Sequence, residues 1–180
     1  MGVLGRVARA ARVASALAAM AVLAGCSSSK PNAGNPCPSI VAAPAADSIF
    51  LFRPGGHERK DVIIAAKVYQ LNVACTREKT GFAVDAEIEF YAERVSNLVQ
   101  DTTLPYFVAL VDPAQHVLLE RAFTVPIQFL PGEGFRRTYP EKITIDLPVR
   151  DRASATGYAV VVGFQLTPDQ LAFNRSVRAQ

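Results

Sequence analysis

Phe82-Ala83-Val84-Asp85-Ala86-Glu87-Ile88-Glu89-Phe90-Tyr91-Ala92-Glu93 is the stretch that sets the fold class. Its even positions are apolar without exception, and Asp85, Glu87, Glu89 and Glu93 alternate between them. Successive side chains of a strand point to opposite faces, so this period of two predicts a strand with one face in a core and one in water. Upstream, residues 62–75 are apolar at 62, 64, 66 and 68 and then at 69, 71, 73 and 75. That switch of parity at Val68-Tyr69 predicts a β-bulge or a strand passing between sheets.

The same reading extends in both directions. Residues 40–43 and 48–52 read as pieces of a first strand, broken around Pro44-Ala45-Ala46. Residues 105–111 form another strand, turned by Asp112-Pro113-Ala114-Gln115 into a run apolar at 117, 119, 123, 125, 127 and 129. After the Pro131-Gly132-Glu133-Gly134 turn comes a short strand at 143–147, and a last one covers 158–166. Thr167-Pro168-Asp169-Gln170 has the form of a helix start, N-cap then proline, leading into about two turns that reach Asn174. Seven strand runs and no long amphipathic helix predict an all-β fold. The expected architecture is a two-sheet antiparallel sandwich, immunoglobulin-like, with a short C-terminal helix. There is no Trp, so the Cys…Trp…Cys core signature is missing.

The chain of 180 residues carries 19 basic and 16 acidic residues. Three of the basic ones (Arg6, Arg9 and Arg12) fall in the first 25 residues, which leaves 16 against 16 in the remainder. A neutral domain has no electrostatic footprint for a polyanion, so no nucleic-acid partner is expected. The first 12 residues are basic and free of acids, and residues 13–24 are apolar apart from Ser15. This has the form of a signal-peptide core and is too short for a transmembrane span. It ends in Leu23-Ala24-Gly25-Cys26, which closely resembles the lipobox of bacterial lipoprotein precursors. The resemblance implies cleavage before Cys26 and diacylglyceryl attachment to its thiol. With two or three acyl chains the attachment would be effectively permanent. Ser27, in place of an aspartate, implies by the same resemblance the outer membrane of a two-membrane envelope, facing the periplasm. Residues 1–25 are thus read as the signal peptide, 26–36 as a flexible tether and 37–180 as the sandwich domain.

Cys37 and Cys75 are the only other cysteines. In an oxidising compartment they read most simply as one disulfide, the alternative being two buried free thiols. The mature part also resembles a family of uncharacterised Gram-negative lipoproteins. The residues that carry this likeness are Phe52-Arg53-Pro54-Gly55 with Asp61-Val62, Pro105-Tyr106-Phe107-Val108 with Asp112-Pro113, and 162–171. The likeness implies fold and location and no activity.

Candidates for chemistry are few. His57 and Glu58 share a polar loop with Arg53, Gly55, Gly56, Arg59 and Lys60, which can be read as an anion cradle or as a tight turn. His116 follows the turn at 112–115. Asp85, Glu87 and Glu89 share a strand face, as paired carboxylates or calcium ligands would, but alternation alone accounts for them. Phe135 beside Arg136 and Arg137 is a candidate partner contact. No nucleophile elbow, phosphate loop or zinc helix occurs. The expected function is therefore a lipid-anchored, non-enzymatic binding or structural module that meets another envelope protein. It needs no cofactor, metal or catalytic residue. The alternative is a small-ligand receptor or envelope enzyme with its site in the loops between strands.

Overall fold

The computed structural model describes residues 37–95, 101–130, 135–149 and 155–179. The signal peptide, Cys26, the tether and the turn at 131–134 lie outside the described residues. In chain order the elements are β1 (Ser39–Ala42), β2 (Ser48–Phe52), β3 (Val62–Arg77), β4 (Phe82–Arg94), β5 (Asp101–Val111), β6 (Val117–Gln128), β7 (Arg136–Leu147), β8 (Ala159–Phe164) and helix α1 (Pro168–Arg178). One sheet has the order β1-β8-β5-β6 and the other β2-β3-β4-β7. The domain is an all-β sandwich with one short C-terminal helix.

The core follows from the alternation in β4. Phe82, Val84, Ala86, Ile88, Phe90 and Ala92 are each at most 2% exposed and face the second sheet. There they meet Leu104, Tyr106, Leu110, Val125, Ile127, Val160, Val162 and Phe164, all buried. Phe90 joins the sheets directly, its ring centroid 4.8 Å from that of Tyr106 and 5.3 Å from that of Phe164. Each buried Phe, Val, Ile or Leu among them contributes about 1.5–3 kcal/mol relative to exposure.

The parity switch in β3 is a β-bulge. The pairing of β3 with β4 shifts between Val68 and Gln70, so Tyr69 is the extra residue and stands 57% exposed. Ile64 and Ala66 face inward before it, and Leu71, Val73 and Cys75 pack against the core after it. β3 keeps β4 as its neighbour from end to end, so it does not change sheets.

Three expectations need correction. The broken first strand is two strands in opposite sheets: β1 pairs with β8, and β2 pairs with β3. Between them Ala46 N–H bonds the carbonyl of Ala43 (3.0 Å), and Ala45 adopts φ 64°. The β1–β8 pair is moreover parallel, so the sandwich is antiparallel except at that edge. A period of two reports which face of a strand is buried and is silent on its neighbour and sense. β7, lastly, spans twelve residues and not the five at 143–147. Its first half is polar and contains Pro140, which an edge strand tolerates because its open side needs no donor.

The helix runs three turns, to Arg178. Thr167 and Gln170 cap it reciprocally: Gln170 N–H donates to Thr167 Oγ1 (3.3 Å), and Thr167 N–H donates to Gln170 Oε1 (2.9 Å). It docks on the edge strand β2. Phe173 makes edge contacts to Phe50 and Phe52, each with centroids 5.0 Å apart, and Gln170 Nε2 donates to the Phe50 carbonyl (3.1 Å). Asn174, 3% exposed, donates from Nδ2 to the carbonyls of Ala45 (2.8 Å) and Ser48 (2.7 Å). Arg178 pairs with Asp47. One helix face thus fastens the segment where the chain crosses between sheets.

Candidate functional site

Since the even residues of β4 fill the core, its odd residues must build the outer face of the β2-β3-β4-β7 sheet. The register then places them in rows across the strands. Lys67, Tyr91 and Thr138 form one row, and Gln70, Glu89 and Pro140 the next. Asn72, Glu87 and Lys142 come after them, followed by Ala74, Asp85 and Thr144. Gln70 and Asn72 point outward only because the bulge at Tyr69 has reset the phase of β3.

The face is ordered by its own contacts. Lys142 Nζ stands 3.8 Å from carboxylate oxygens of both Asp85 and Glu87. Thr144 Oγ1 donates to Asp85 (2.6 Å). Arg136 pairs with Glu93 at 3.2 Å, and this carboxylate raises the arginine's pKa further. The Lys67 ammonium lies 5.7 Å from the ring centre of Tyr69 and 5.4 Å from that of Tyr91. Gln70, Asn72, Glu87, Glu89, Pro140 and Lys142 line a depression of about 400 Å³ in the middle of this face.

The remaining sequence candidates are dispersed. In the 53–61 loop backbone amides and Arg53 turn to a carboxylate of the protein itself. Asp61, 6% exposed, accepts from the amides of His57 and Glu58 (3.2 Å each) and pairs with Arg53. The Glu58 amide and then Arg53 hold its carboxyl below the usual carboxylate range, against the opposing effect of burial. Of the two readings of this loop, the tight turn is the one that the Asp61 contacts support. Glu58 itself pairs with Lys60 (2.8 Å), and the His57 residue borders an open groove beside Asp169 and Phe173 of α1.

His116 is exposed and pairs with Asp112 at 3.2 Å, inside the turn that joins β5 to β6. The His116 amide, 2.8 Å from Asp112 Oδ1, is the main reason this carboxyl is lowered. Cys37 and Cys75 form a disulfide, with Cα atoms 5.5 Å apart. Phe135 is 57% exposed, and together with Phe129 it flanks the guanidinium of Arg94, at 5.5 and 5.4 Å. Arg137 lies 5.8 Å from the ring centre of Tyr139.

Two polar features of the β7 edge lay outside the sequence reading. Glu141 points inward and accepts a hydrogen bond from the fully buried Tyr106 hydroxyl (3.4 Å). Burial, then the charge of Glu141, raises the Tyr106 pKa far above the usual phenol value. Tyr139 Oη donates to the Gln128 carbonyl (2.7 Å) and accepts from its amide (3.1 Å), bridging the edges of the two sheets. A polar residue at an inward parity in a strand beside Pro140 was the available signal.

Among the described residues no group of three His, Cys, Asp or Glu is placed to hold a metal ion. Nor is any helix among them long and apolar enough to cross a membrane. The chain matches no protein-family model, no curated protein and no solved structure.

Proposed function

We propose that this chain is a lipid-anchored protein of the bacterial envelope, held at the outer membrane by Cys26. In this reading it acts as a non-enzymatic binding or structural module in the periplasm and presents the outer face of the β2-β3-β4-β7 sheet to another envelope component. The observation that carries the reading is the depression bordered by Gln70, Asn72, Glu87 and Glu89, with Lys142 bridging Asp85 and Glu87 at its side. General acid–base work needs two groups in contrasting environments within reach of one substrate. Here the carboxylates share one open face, both cysteines of the domain are bonded to each other, and the two histidines lie in separate loops.

The anchor rests on Leu23-Ala24-Gly25-Cys26. The immunoglobulin-like assignment is supported by the path of β4 to β8. Its pairs β4–β7, β5–β6 and β5–β8 are those of a Greek key wound across two sheets, with β1 running parallel to β8 at the edge. The test joins anchor and face. Cys26→Ser should block lipidation and processing, and a photo-crosslinking residue at position 87 should capture an envelope component in cells. Normal maturation of the variant, with crosslinking no greater than at Glu120 on β6, would refute the reading.

A further inference from the structure

The outer-face depression is chemically specific enough to name a class of ligand. Its lining includes two carboxamides (Gln70, Asn72) and two carboxylates (Glu87, Glu89), each amide directly across the ladder from an acid, beside Ile88, Pro140, Glu141 and Lys142. An amide offers both donors and acceptors and a carboxylate only acceptors. Such a pair about 4.8 Å apart across two strands can grip neighbouring hydroxyls, one donating to the acid while the other accepts from the amide. Hydroxyl-rich, uncharged molecules present that pattern repeatedly.

The surroundings narrow the choice. At one end of the depression the bulge turns Tyr69 outward next to Tyr91, with ring centroids 6.2 Å apart. The Lys67 ammonium lies over one face of each ring, so the C–H face of a sugar would stack on the other face of the exposed Tyr69. One row further along, Pro140 faces Glu89 across the ladder and offers a non-donating wall. The four rows from Lys67 to Ala74 extend over roughly 20 Å at about 3.4 Å per strand residue. This is an open track for an extended ribbon-like chain, not a closed pocket for a monosaccharide.

Charge disfavours the other occupants. Asp85, Glu87, Glu89, Glu93 and Asp146 on this face outnumber Lys67, Lys142 and Arg136, so a polyanion gains no net attraction there. A stable protein interface centres on desolvated apolar or aromatic anchors and is depleted of charge at its middle. This middle keeps the charges of Glu87, Glu89, Glu141 and Lys142.

We infer that the outer face of β3, β4 and β7 binds a neutral β-1,4-linked oligosaccharide, with Gln70, Asn72, Glu87 and Glu89 gripping its hydroxyls and Tyr69 stacking at one end. This rests on the outer face being the binding surface. The test is titration calorimetry of the full-length chain in detergent with chitotetraose, cellotetraose and, as polyanion, heparin. One of the neutral sugars should bind. Glu89→Ala and Tyr69→Ala should each weaken it at least tenfold with unchanged urea midpoints, since both side chains lie outside the core. Absence of binding by both neutral sugars at millimolar concentration, preference for heparin, or affinities untouched by the two substitutions would each overturn the inference. If sugars fail while crosslinking at position 87 captures an envelope protein, the ligand class falls and the binding face stands. If both fail, the face itself is refuted.

Discussion

Replacing Asn174 by alanine tests how the helix and the sheet crossover depend on each other. Its amide is 3% exposed and is the described partner of two main-chain carbonyls, Ala45 at 2.8 Å and Ser48 at 2.7 Å. Truncation leaves both acceptors in a dry environment. An orphaned buried group costs about 1–3 kcal/mol, and the two bonds themselves contribute about 0.5–1.5 kcal/mol each. The Oδ1 atom of Asn174 is buried and finds no partner among the described residues, so its removal returns part of that loss. The expected net destabilisation is about 2–4 kcal/mol.

Asn174→Asp should be worse at neutral pH, because a carboxylate would face two carbonyl oxygens. It should recover in acid as the group takes up a proton and regains one donor. Urea unfolding gives the free energy, and amide exchange at Phe164, whose N–H bonds the Ala46 carbonyl at 2.7 Å, reports on the crossover locally. An Asn174→Ala variant within about 0.5 kcal/mol of the parent, the range of ordinary surface changes, would show that the helix rests on β2 without holding it.

Other outcomes follow from features already placed. Reducing Cys37–Cys75, separated by 38 positions, should lower stability by roughly 3–4 kcal/mol on the chain-entropy account, and equal urea midpoints with and without reductant would contradict it. Ile88→Asp buries an unpaired charge at a position 1% exposed and should cost several kcal/mol, whereas Glu87→Lys on the adjacent outward position should change little; similar melting of the two would refute the assigned phase of β4. The Asp61 carboxyl is lowered in the folded state by the Glu58 amide and Arg53, so its stabilising contribution is complete above the ordinary carboxylate value and fades as pH drops through the depressed one. Asp61→Asn should therefore flatten the loss of stability below about pH 4, and an unchanged acid limb in urea titrations would argue against that role.

How much of this was legible in the sequence depended on whether the information is local. The buried face of β4, the bulge at Tyr69 and the N-cap at Thr167 are written in residues a few positions apart, and the structure has them where the pattern placed them. The disulfide was legible because only two cysteines remained to pair. The polar half of β7 was not, because an edge strand with Pro140 and several charges has no alternation strong enough to show. The parallel β1–β8 pair and the anchoring role of Asn174 are long-range relations, 120 or more positions apart in the chain, and no periodicity encodes them. The candidate site sits between these cases. Glu87 and Glu89 were visible as an outward face, but their neighbours Gln70, Asn72 and Lys142 join them only through the register of three strands.

The position of the Cys37–Cys75 bond also determines how the domain would carry mechanical load. Anchored as proposed, the chain would be pulled at Cys37 first, and the S–S bond would pass the tension straight to β3. β3 is laced to β4 along thirteen registered positions, so many bonds would share that load. A ligand seated on β3, β4 and β7 would thus be joined to the membrane through a single sheet, bypassing β1 and its four-residue ladder to β8. With the bond reduced, the same pull would reach β1 before anything else, and that short edge would peel first.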